Sequence, residues 1–447
     1  MNLTVQVHWN KHWHDAGTVR FQMPGEGLRG APSFSYSAEY ALAALEQGGD
    51  FETQNLIDKT AVSVNLPCHF GGDYHKGEIT PVLRDIIPQG AGRRHWVKIL
   101  GYDRDPAHTI DTQLLKQGCI APIGNLRIKE AAEAFQERVS HSDKVLFSRE
   151  DVCARADNLI EYAQNLRVAI GGATGAGGDA PKLLLLETHD GHFALEGTIS
   201  ETEVCNHWLV KFPRGRKTQD DIAVLQGEAA IYKTLEACGV NSISGARIDE
   251  NKGQLALWLP RFDRAVKAGD VVRHGVESVY SMMGKSGDGS ALNHVDVVNK
   301  LKTFITEPKD KDALLAEYLV RDILNTATGN RDNHGRNTSI IKRGADIELA
   351  PTYDVAPMVL DSEAIARTTR WPLQFLNRTR DTNYTAILEA LAVDAGYAAR
   401  LVMTQLEQLR NMKNALKNHG APAAMLNHAA IRFREAELVL DQLDDLL

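Results

Sequence analysis

Two short stretches of this chain decide its fold: Asn-Arg-Asp-Asn-His-Gly-Arg-Asn at residues 330–337 and Ala-Pro-Thr-Tyr-Asp at residues 350–354. In the first, Asp332 stands five residues before Asn337, and the second ends in another aspartate, Asp354. This order is typical of a phosphotransfer centre. One carboxylate accepts the proton of the acceptor hydroxyl, and two further side-chain oxygens bind Mg²⁺.

The segment between the two stretches predicts a β-hairpin over residues 338–349, since short β-prone runs flank a polar turn at residues 343–346. The two ends of a hairpin lie side by side. We therefore expect Asn337 and Asp354 to lie at the same end of a rigid element, which suits a site that must hold metal and phosphate groups in fixed positions.

Taken alone, the same letters also fit a polar turn, because Asp and Asn side chains commonly bond to the backbone of turns. A glycine-rich stretch upstream, residues 171–182, favours a phosphate site. Glycines let backbone N–H groups approach phosphate oxygens without a Cβ in the way. A flexible linker has the same composition, so this stretch needs the support of its neighbours.

Two further features follow the glycine-rich stretch. Lys211 lies in an apolar strand, where an ammonium group requires either an anionic partner or a route to solvent. Gln-Gly-Glu at residues 226–228 begins a predicted helix, and Lys211 and Glu228 would then form the lysine–glutamate pair of kinases. An apolar strand ending in Pro-Arg-Phe-Asp-Arg at residues 260–264 predicts either an adenine-binding link or a surface salt-bridge turn.

The order of these features predicts an α+β, bilobal, protein-kinase-like fold. It opens with a β-hairpin within an N-terminal α/β subdomain over residues 1–148. A β-rich nucleotide-binding lobe over residues 149–262 follows. The catalytic C-terminal lobe, residues 263–447, is predicted to be all-α apart from a metal-binding hairpin.

The composition narrows the class of protein. The net charge of −8 provides no overall basic field for nucleic acid or anionic lipid. The five cysteines have no metal-ligand spacing, which is typical of reduced thiols in the cytosol. We find no signal peptide and no apolar run of membrane-spanning length, so we expect a cytoplasmic protein without a membrane or direct nucleic-acid partner.

Together these motifs resemble the HipA family, the serine/threonine kinase toxins of bacterial HipBA-type toxin–antitoxin systems, and in particular a divergent or orphan branch of it. The resemblance rests on residues 120–127, 177–182, 210–213, 226–228, 261–264, 332–337 and 349–354.

This resemblance implies that Asp332 is the catalytic base and that Asn337 and Asp354 bind Mg²⁺. The residues that it implies for ATP binding are Gly177, Gly178, Asp179, Ala180, Pro181, Lys182, Lys211, Glu228, Pro260, Arg261, Phe262, His334 and Tyr353.

The family also implies a protein substrate with a serine or threonine acceptor, growth arrest or persistence as the outcome, and control by a HipB-like helix-turn-helix antitoxin. Family members are inactivated by autophosphorylation of a loop serine. Here the only hydroxyl between residues 171 and 182 is that of Thr174, which becomes the candidate autophosphorylation site.

Two other functions fit the sequence. A small-molecule phosphotransferase can use the same fold, because a fold does not determine the acceptor. A non-catalytic, partner-binding or DNA-associated regulator is the second, although the complete set of catalytic residues favours an enzyme. Transfer of labelled phosphate to protein, to a small molecule, or to neither separates the three.

Overall fold

The computed structural model describes residues 1–46, 60–155, 157–167, 180–214, 218–267, 269–287, 289–343, 346–361 and 365–446. The chain forms two compact units. Unit 1 comprises Met1–Gly215, Asp249–Ser286 and Ser339–Ile347. Unit 2 comprises Arg216–Ile248, Gly287–Thr338 and Glu348–Leu447. Both units are assembled from segments distant in sequence, and the predicted division at residues 148 and 262 remains a prediction.

The strands are β1 Asn2–Trp9, β2 His12–Phe21, β3 Pro32–Tyr36, β4 Asp73–Tyr74, β5 Leu126–Ile128, β6 Lys182–Thr188, β7 Phe193–Leu195, β8 Val204–Lys211, β9 Arg247–Asn251, β10 Gln254–Pro260, β11 Arg264–Lys267, β12 Asp270–Arg273, β13 Gly275–Ser278, β14 Leu292–Asn293, β15 Ser339–Arg343, β16 Asp346–Leu349 and β17 Thr369–Arg370.

The helices are α1 Ala38–Glu46, α2 Lys76–Ile86, α3 Gly90–Leu100, α4 Asp111–Gly118, α5 Lys129–Ser140, α6 Arg149–Ala154, α7 Asp157–Asn165, α8 Gln219–Ala237, α9 Val279–Met282, α10 His294–Lys302, α11 Pro308–Ala327, α12 Tyr384–Leu391, α13 Ala395–Glu407, α14 Met412–Asn418, α15 Ala423–Leu426 and α16 Glu435–Leu443. None of the helices in the described ranges combines the length and the apolar character needed to cross a bilayer.

Two five-stranded sheets form the body of unit 1. The N-terminal sheet has the order β4-β3-β2-β1-β5, and its first hairpin confirms the predicted one. The second sheet has the order β7-β6-β8-β10-β9 and confirms the predicted β-rich region. Apolar runs on its central strands bury Leu185, Val210 and Trp258 in one core, as the hydrophobic effect requires.

The predicted all-α character of the region after residue 263 is wrong between residues 264 and 278. This stretch forms β11, β12 and β13. β13 pairs antiparallel with β15, which places Gly275 opposite Lys342 and Ser278 opposite Ser339. β11 and β12 pair antiparallel with each other, whereas β13 is stabilised by a partner remote in sequence, which local patterns do not reveal. The predicted hairpin over residues 338–349 is confirmed as β15 and β16.

Unit 2 is mostly helical, and α11 forms its centre. Pro308 occupies the first turn of α11, where the missing N–H costs nothing. Leu315, Leu319 and Ile323 recur every four residues and are fully buried against the neighbouring helices α13 and α16. The sequence pattern predicts one helix over residues 398–417 and another over residues 423–446, and in the structure each region is divided into two shorter helices.

A buried ion network in unit 1 is formed by the Arg-Phe-Asp-Arg motif that follows β10. Arg261 donates from two guanidinium nitrogens to Asp263, at 3.0 and 2.7 Å, and from a third to Glu196 at 2.6 Å. Arg264 donates to the same Asp263 carboxylate at 2.6 Å. These side chains are buried, so the motif is not the surface turn that the sequence allowed.

The network also holds the segment 120–127 of the family resemblance. The N–H of Gly124 donates to Asp263 at 2.7 Å, and the carbonyl of Gly124 accepts from Arg264 at 2.7 Å. Gly124 has a φ of +99°, and a Cβ there would lie 3.1 Å from the backbone N of Val276. The close approach and the positive φ explain the glycine.

The charges of this network determine the pKa of its aspartate. Burial alone would raise the pKa of Asp263, but the guanidinium groups of Arg261 and Arg264 lower it from 3.8 to about 2. The ionised carboxylate of Asp263 therefore stabilises the fold at pH values above the ordinary pKa of an aspartate. That stabilisation is lost as the pH falls toward the folded-state pKa.

We predict that Asp263→Asn lowers the free energy of unfolding of unit 1 by about 3 to 5 kcal/mol, because it leaves two buried guanidinium groups without their shared carboxylate. Urea unfolding followed by the fluorescence of the buried Trp258 measures the change.

The matched control is Asp270→Asn, which breaks an exposed pair with Lys11 and should cost less than about 1 kcal/mol. The wild type should also lose more stability between pH 4 and pH 2 than Asp263→Asn does. Equal costs for the two variants would show that the network contributes no more than a surface pair.

Candidate active site

The stretch 330–337 is an irregular loop that leaves the C-terminal end of α11, and we call it the catalytic loop. Gly329 begins the turn with a φ of +71°. A Cβ there would lie 2.7 Å from the side chain of Val359 and 2.9 Å from that of Ile431. Glycine is required here both for the left-handed backbone and for this close packing.

Asn330 holds the start of the catalytic loop. Its side-chain oxygen accepts the N–H of Asp332 at 3.1 Å, and its side-chain nitrogen donates to Asn325 at 2.8 Å. Asn330 is buried, so these bonds are protected from water. Sequence reasoning missed this residue, although an asparagine two residues before an aspartate is the signature of an Asx turn.

Asn337 folds back onto the other end of the loop. Its side-chain nitrogen donates to the carbonyl oxygen of Asp332 at 2.6 Å, and its N–H donates to the carbonyl of His334 at 2.9 Å. Its side-chain oxygen is buried and has no hydrogen-bond partner among the described residues. A buried acceptor without a donor is costly, and a bound cation would satisfy it.

His334 lies against the predicted base. Its Nε2 is 3.5 Å from a carboxylate oxygen of Asp332, and its Nδ1 accepts the N–H of Arg336 at 3.2 Å. Because Nδ1 is an acceptor, the proton of the neutral ring belongs on Nε2, facing Asp332. His334 thus lies beside the carboxylate of Asp332, and its predicted contact with nucleotide remains a prediction.

Asp354 is held in an unusual backbone conformation. Its φ is +55°, in the left-handed region that few non-glycine residues adopt. Its N–H donates at 2.7 Å to the hydroxyl of Tyr232, which in turn donates to a carboxylate oxygen of Glu228 at 3.2 Å. Burial raises the pKa of Tyr232 well above its ordinary value, and the charges of Glu228 and Asp354 add to the shift. The hydroxyl therefore stays protonated.

Tyr232 is a site residue that sequence reasoning missed. The available signal was its spacing of four from Glu228 on a helix, which puts both on one face. That helix, α8, begins at Gln219, so Glu228 lies in its middle rather than at its start as predicted. The reason is that Thr218 caps the helix, with its side chain accepting the N–H of Asp221.

Tyr353 joins the two stretches of the site. Its hydroxyl donates to the carbonyl of Arg336, next to Asn337. One residue earlier, Thr352 exchanges backbone hydrogen bonds with the loop that follows α8, at 2.9 Å to Asn241 and 3.2 Å from Ile243. The structure therefore ties the stretch 350–354 to the catalytic loop, as the sequence pattern predicts.

The catalytic loop and the stretch 350–354 lie within a region of the chain that matches a known protein family. Residues 174–417 match the HipA-like C-terminal domain family, which is more than half of the chain. The chain belongs to the HipA-like family. No curated protein sequence matches this HipA-like chain significantly.

Two solved structures are similar to the HipA-like chain. One is HipA from the Shewanella oneidensis MR-1 toxin–antitoxin system, in a complex with HipB and operator DNA. It is 16% identical with a TM-score of 0.61, over 99% of this chain and 97% of that one. The other is the Helicobacter pylori proinflammatory kinase CtkA, 15% identical with a TM-score of 0.33, over 58% of this chain and 97% of that one. The match to HipA shows a shared fold.

In unit 1 of the HipA-like chain, two of the predicted ATP-binding lysines are neighbours. Lys182 on β6 pairs directly with Lys211 on β8, and both are buried. Pro181 is fixed beside them, since its carbonyl accepts the N–H of Phe212 at 3.0 Å. Ala180 directly precedes Pro181. The predicted residues Gly177, Gly178, Asp179 and Thr174 lie outside the described residues.

Part of the predicted adenine-binding segment makes contacts that stabilise the fold. Pro260 ends β10, opposite Trp208 on β8. The backbone N–H of Arg261 donates to the carbonyl of His207 at 2.9 Å, and its guanidinium belongs to the buried ion network. Adenine binding by Pro260 and Phe262 remains a prediction. Lys211 belongs to unit 1 and Glu228 to unit 2, and an ion pair between them also remains a prediction.

Gly227, beside Glu228, lets α8 pack closely in unit 2. A Cβ at this position would lie 2.6 Å from the ring of Pro357 and 3.2 Å from the sulfur of Met425. Pro357 follows Asp354 by three residues. The glycine therefore allows the helix that carries Glu228 and Tyr232 to contact the segment that leaves the site.

We predict that Gly227→Ala lowers the free energy of unfolding of unit 2 by about 1 to 3 kcal/mol, because the added methyl group overpacks the contact with Pro357. Intrinsic helix propensity alone would change it by about 1 kcal/mol in the opposite direction. Thermal unfolding measures the sign directly.

The matched control is Gly77→Ala in α2, where no heavy atom lies within 4 Å of the added Cβ. This variant should be as stable as the wild type or slightly more stable. A stabilised Gly227→Ala protein would show that α8 has room at this position and that the close contact is not needed.

Proposed function

We propose that this HipA-like protein is an ATP- and Mg²⁺-dependent kinase that phosphorylates a serine or threonine of a protein. The observation that supports it most directly is the catalytic loop itself. Asp332 is fixed through its own N–H and carbonyl by Asn330 and Asn337, so its carboxylate is positioned without being consumed by these bonds. In that position Asp332 accepts the proton of the acceptor hydroxyl.

The oxygen donors of the site fit a magnesium ion. Asn337 presents a buried amide oxygen that has no partner among the described residues, and Asp354 presents a carboxylate on a backbone fixed by Tyr232. Hard cations such as Mg²⁺ take oxygen ligands of these two kinds. When bound with ATP, the ion would neutralise charge on the β- and γ-phosphates.

The paired lysines of unit 1 support a polyphosphate ligand, because Lys182 and Lys211 stand opposite each other on neighbouring strands. Two cationic side chains at one place in a sheet would both be able to contact the phosphates of one ATP molecule. Autophosphorylation at Thr174 would add negative charge to the same stretch of chain and would oppose ATP binding there.

The assembly of the Shewanella HipA suggests the partner. That protein is seen with HipB and operator DNA. We propose that a HipB-like helix-turn-helix protein binds this chain and brings it to DNA, with release leading to growth arrest or persistence. The expected absence of a direct nucleic-acid partner then concerns only readout of DNA by this chain itself, and it stays a prediction.

We predict that Asp332→Asn lowers phosphate transfer to protein by at least about 100-fold, because the amide cannot accept the acceptor proton. ATP affinity should change little, since the carboxylate acts on the acceptor. Transfer from labelled ATP to the proteins of a bacterial lysate measures activity, and calorimetry measures ATP binding.

Asp346→Asn, on the exposed start of β16, is the matched control and should retain full activity. Normal transfer by Asp332→Asn would exclude this residue as the base. Label found only in the small-molecule fraction would replace the protein kinase with a small-molecule phosphotransferase, and no transfer by the wild type would favour a non-catalytic role.

We predict that Asp354→Asn strongly weakens the magnesium dependence of ATP binding, and that Asn337→Ala weakens it less, because a carboxylate contributes a full charge and an amide only a dipole. Asparagine tolerates the left-handed backbone at position 354, so the first variant removes the charge without adding strain. Calorimetric ATP titrations with and without Mg²⁺ give the measurement.

Asn333→Ala is the control for the second variant, because Asn333 lies on the same loop and also has a buried side-chain oxygen without a partner among the described residues. It should keep the magnesium dependence of the wild type. A loss in Asn333→Ala and none in Asn337→Ala would place the metal at the other amide.

A further inference from the structure

A cavity of about 230 Å³ lies in unit 2 beside the catalytic loop. Asn330 lines it from the start of that loop, and further residues come from the segments around positions 380 and 432. Its charged lining residues are Arg331, Arg367, Arg380, Arg432, Asp381 and Glu435. Asp332, Asn337 and Asp354 do not line it, so the cavity is distinct from the metal and base positions.

Two of the four arginines are already paired within the fold. Arg432 contacts the carboxylates of Asp381 at 2.5 Å and Glu435 at 2.9 Å. Arg367 lies 3.5 Å from the buried carboxylate of Asp322. These contacts explain how the two guanidinium groups are held in the cavity wall.

The other two arginines are not compensated. The side chains of Arg331 and Arg380 make no ion pair and no hydrogen bond with any residue in the described part of the chain. Both are exposed at the rim of the cavity. The cavity therefore carries an excess of positive charge that faces solvent.

Arg380 is presented by a rigid turn. The side-chain oxygen of Asn377 accepts the N–H groups of Thr379 at 3.0 Å and Asp381 at 2.9 Å, and its carbonyl accepts the N–H of Arg380 at 3.0 Å. Arg380 itself has a φ of +64°. A non-glycine residue stays in this conformation only where its surroundings impose it, so the backbone that carries the Arg380 side chain is fixed before any ligand arrives.

We infer that this cavity binds an acidic side chain of the acceptor protein, close in sequence to the hydroxyl that is phosphorylated; the inference rests on the kinase function proposed above. Arg331 and Asp332 are consecutive, so their Cα atoms are about 3.8 Å apart. An extended acceptor segment advances about 3.3 Å per residue. The side chain that enters the cavity therefore lies within a few positions of the hydroxyl that reaches Asp332.

Size and chemistry favour this occupant. A volume of about 230 Å³ is below the roughly 300–1,000 Å³ of pockets that enclose small-molecule ligands, and it accommodates one side chain. Arginine forks match the geometry of a carboxylate, with two parallel N–H···O bonds. The cavity thus selects acceptors by charge, at a site separate from the chemical step.

The test measures binding without nucleotide, so that it does not depend on activity. The probes are two fluorescent nonapeptides with a central serine, one with glutamates on both flanks and one with glutamines in their place. We expect the wild type to bind the acidic peptide about tenfold more tightly. Arg380→Gln and Arg331→Gln should each remove most of that preference. Arg378→Gln, an exposed arginine of the same loop outside the cavity, should keep it.

Each outcome decides the proposal. Equal affinity of the wild type for the two peptides overturns it, even if the protein proves to be a kinase. A preference that depends on Arg380 in a protein without kinase activity supports the cavity and overturns the proposed function instead. If inorganic phosphate or a DNA duplex binds in an Arg380-dependent way while the acidic peptide does not, the cavity is an anion site for another ligand and the inference is wrong.

Discussion

The buried hydroxyl of Tyr232 is the contact on which the candidate site depends. It accepts the N–H of Asp354 and donates to Glu228, so one side chain connects the middle of α8 to the second predicted metal ligand. Only a protonated hydroxyl can do both, and burial ensures protonation by raising its pKa. Without this bond the left-handed backbone of Asp354 would lose its restraint, and a backbone donor would be left unsatisfied at a cost of about 1 to 3 kcal/mol. Gly227 belongs to the same arrangement, since it lets α8 come close enough for the bond to form.

The sequence was sufficient for the residues whose chemistry is local in the chain. Asp332 and Asn337 lie on one short loop, where a hydrogen bond joins them, and their spacing together with the neighbouring motifs predicts that they act together. Their supports were not predictable in the same way, because Tyr232 lies 122 residues from Asp354 and belongs to another element. The Arg-Phe-Asp-Arg motif at residues 261–264 shows where the sequence was ambiguous. It fits an adenine-binding link or a surface turn, and the burial of Asp263, bonded to Gly124 from 139 residues earlier, shows that the motif stabilises the fold.

The strands and helices show the same difference between what the local sequence predicts and what depends on contacts with remote residues. β6, β8 and β10 were predictable because each is an apolar run long enough to fill the core of its sheet by itself. β13 was missed because its four residues become a strand only through pairing with β15, whose first residue comes more than 60 positions later. The amphipathic pattern predicted one helix across α13 and α14, but the chain turns between Glu407 and Met412 so that α14 packs on α8.

The residues whose conformations are unfavourable for stability lie in the same site that the sequence motifs predict. α11 follows three local rules of helix formation, with a proline in its first turn, a regular buried face and a glycine after its end. Two residues beyond α11 depart from these rules. Asn337 buries a side-chain oxygen that has no partner in the described part of the chain, and Asp354 adopts a backbone conformation that costs of order 1 kcal/mol. A segment that served only the fold would tolerate an apolar side chain or a glycine at these positions with a gain in stability. In the proposed magnesium site a bound cation would satisfy the side-chain oxygen of Asn337 and would offset the backbone cost at Asp354, so the strain would hold the ion site ready before the ligand binds.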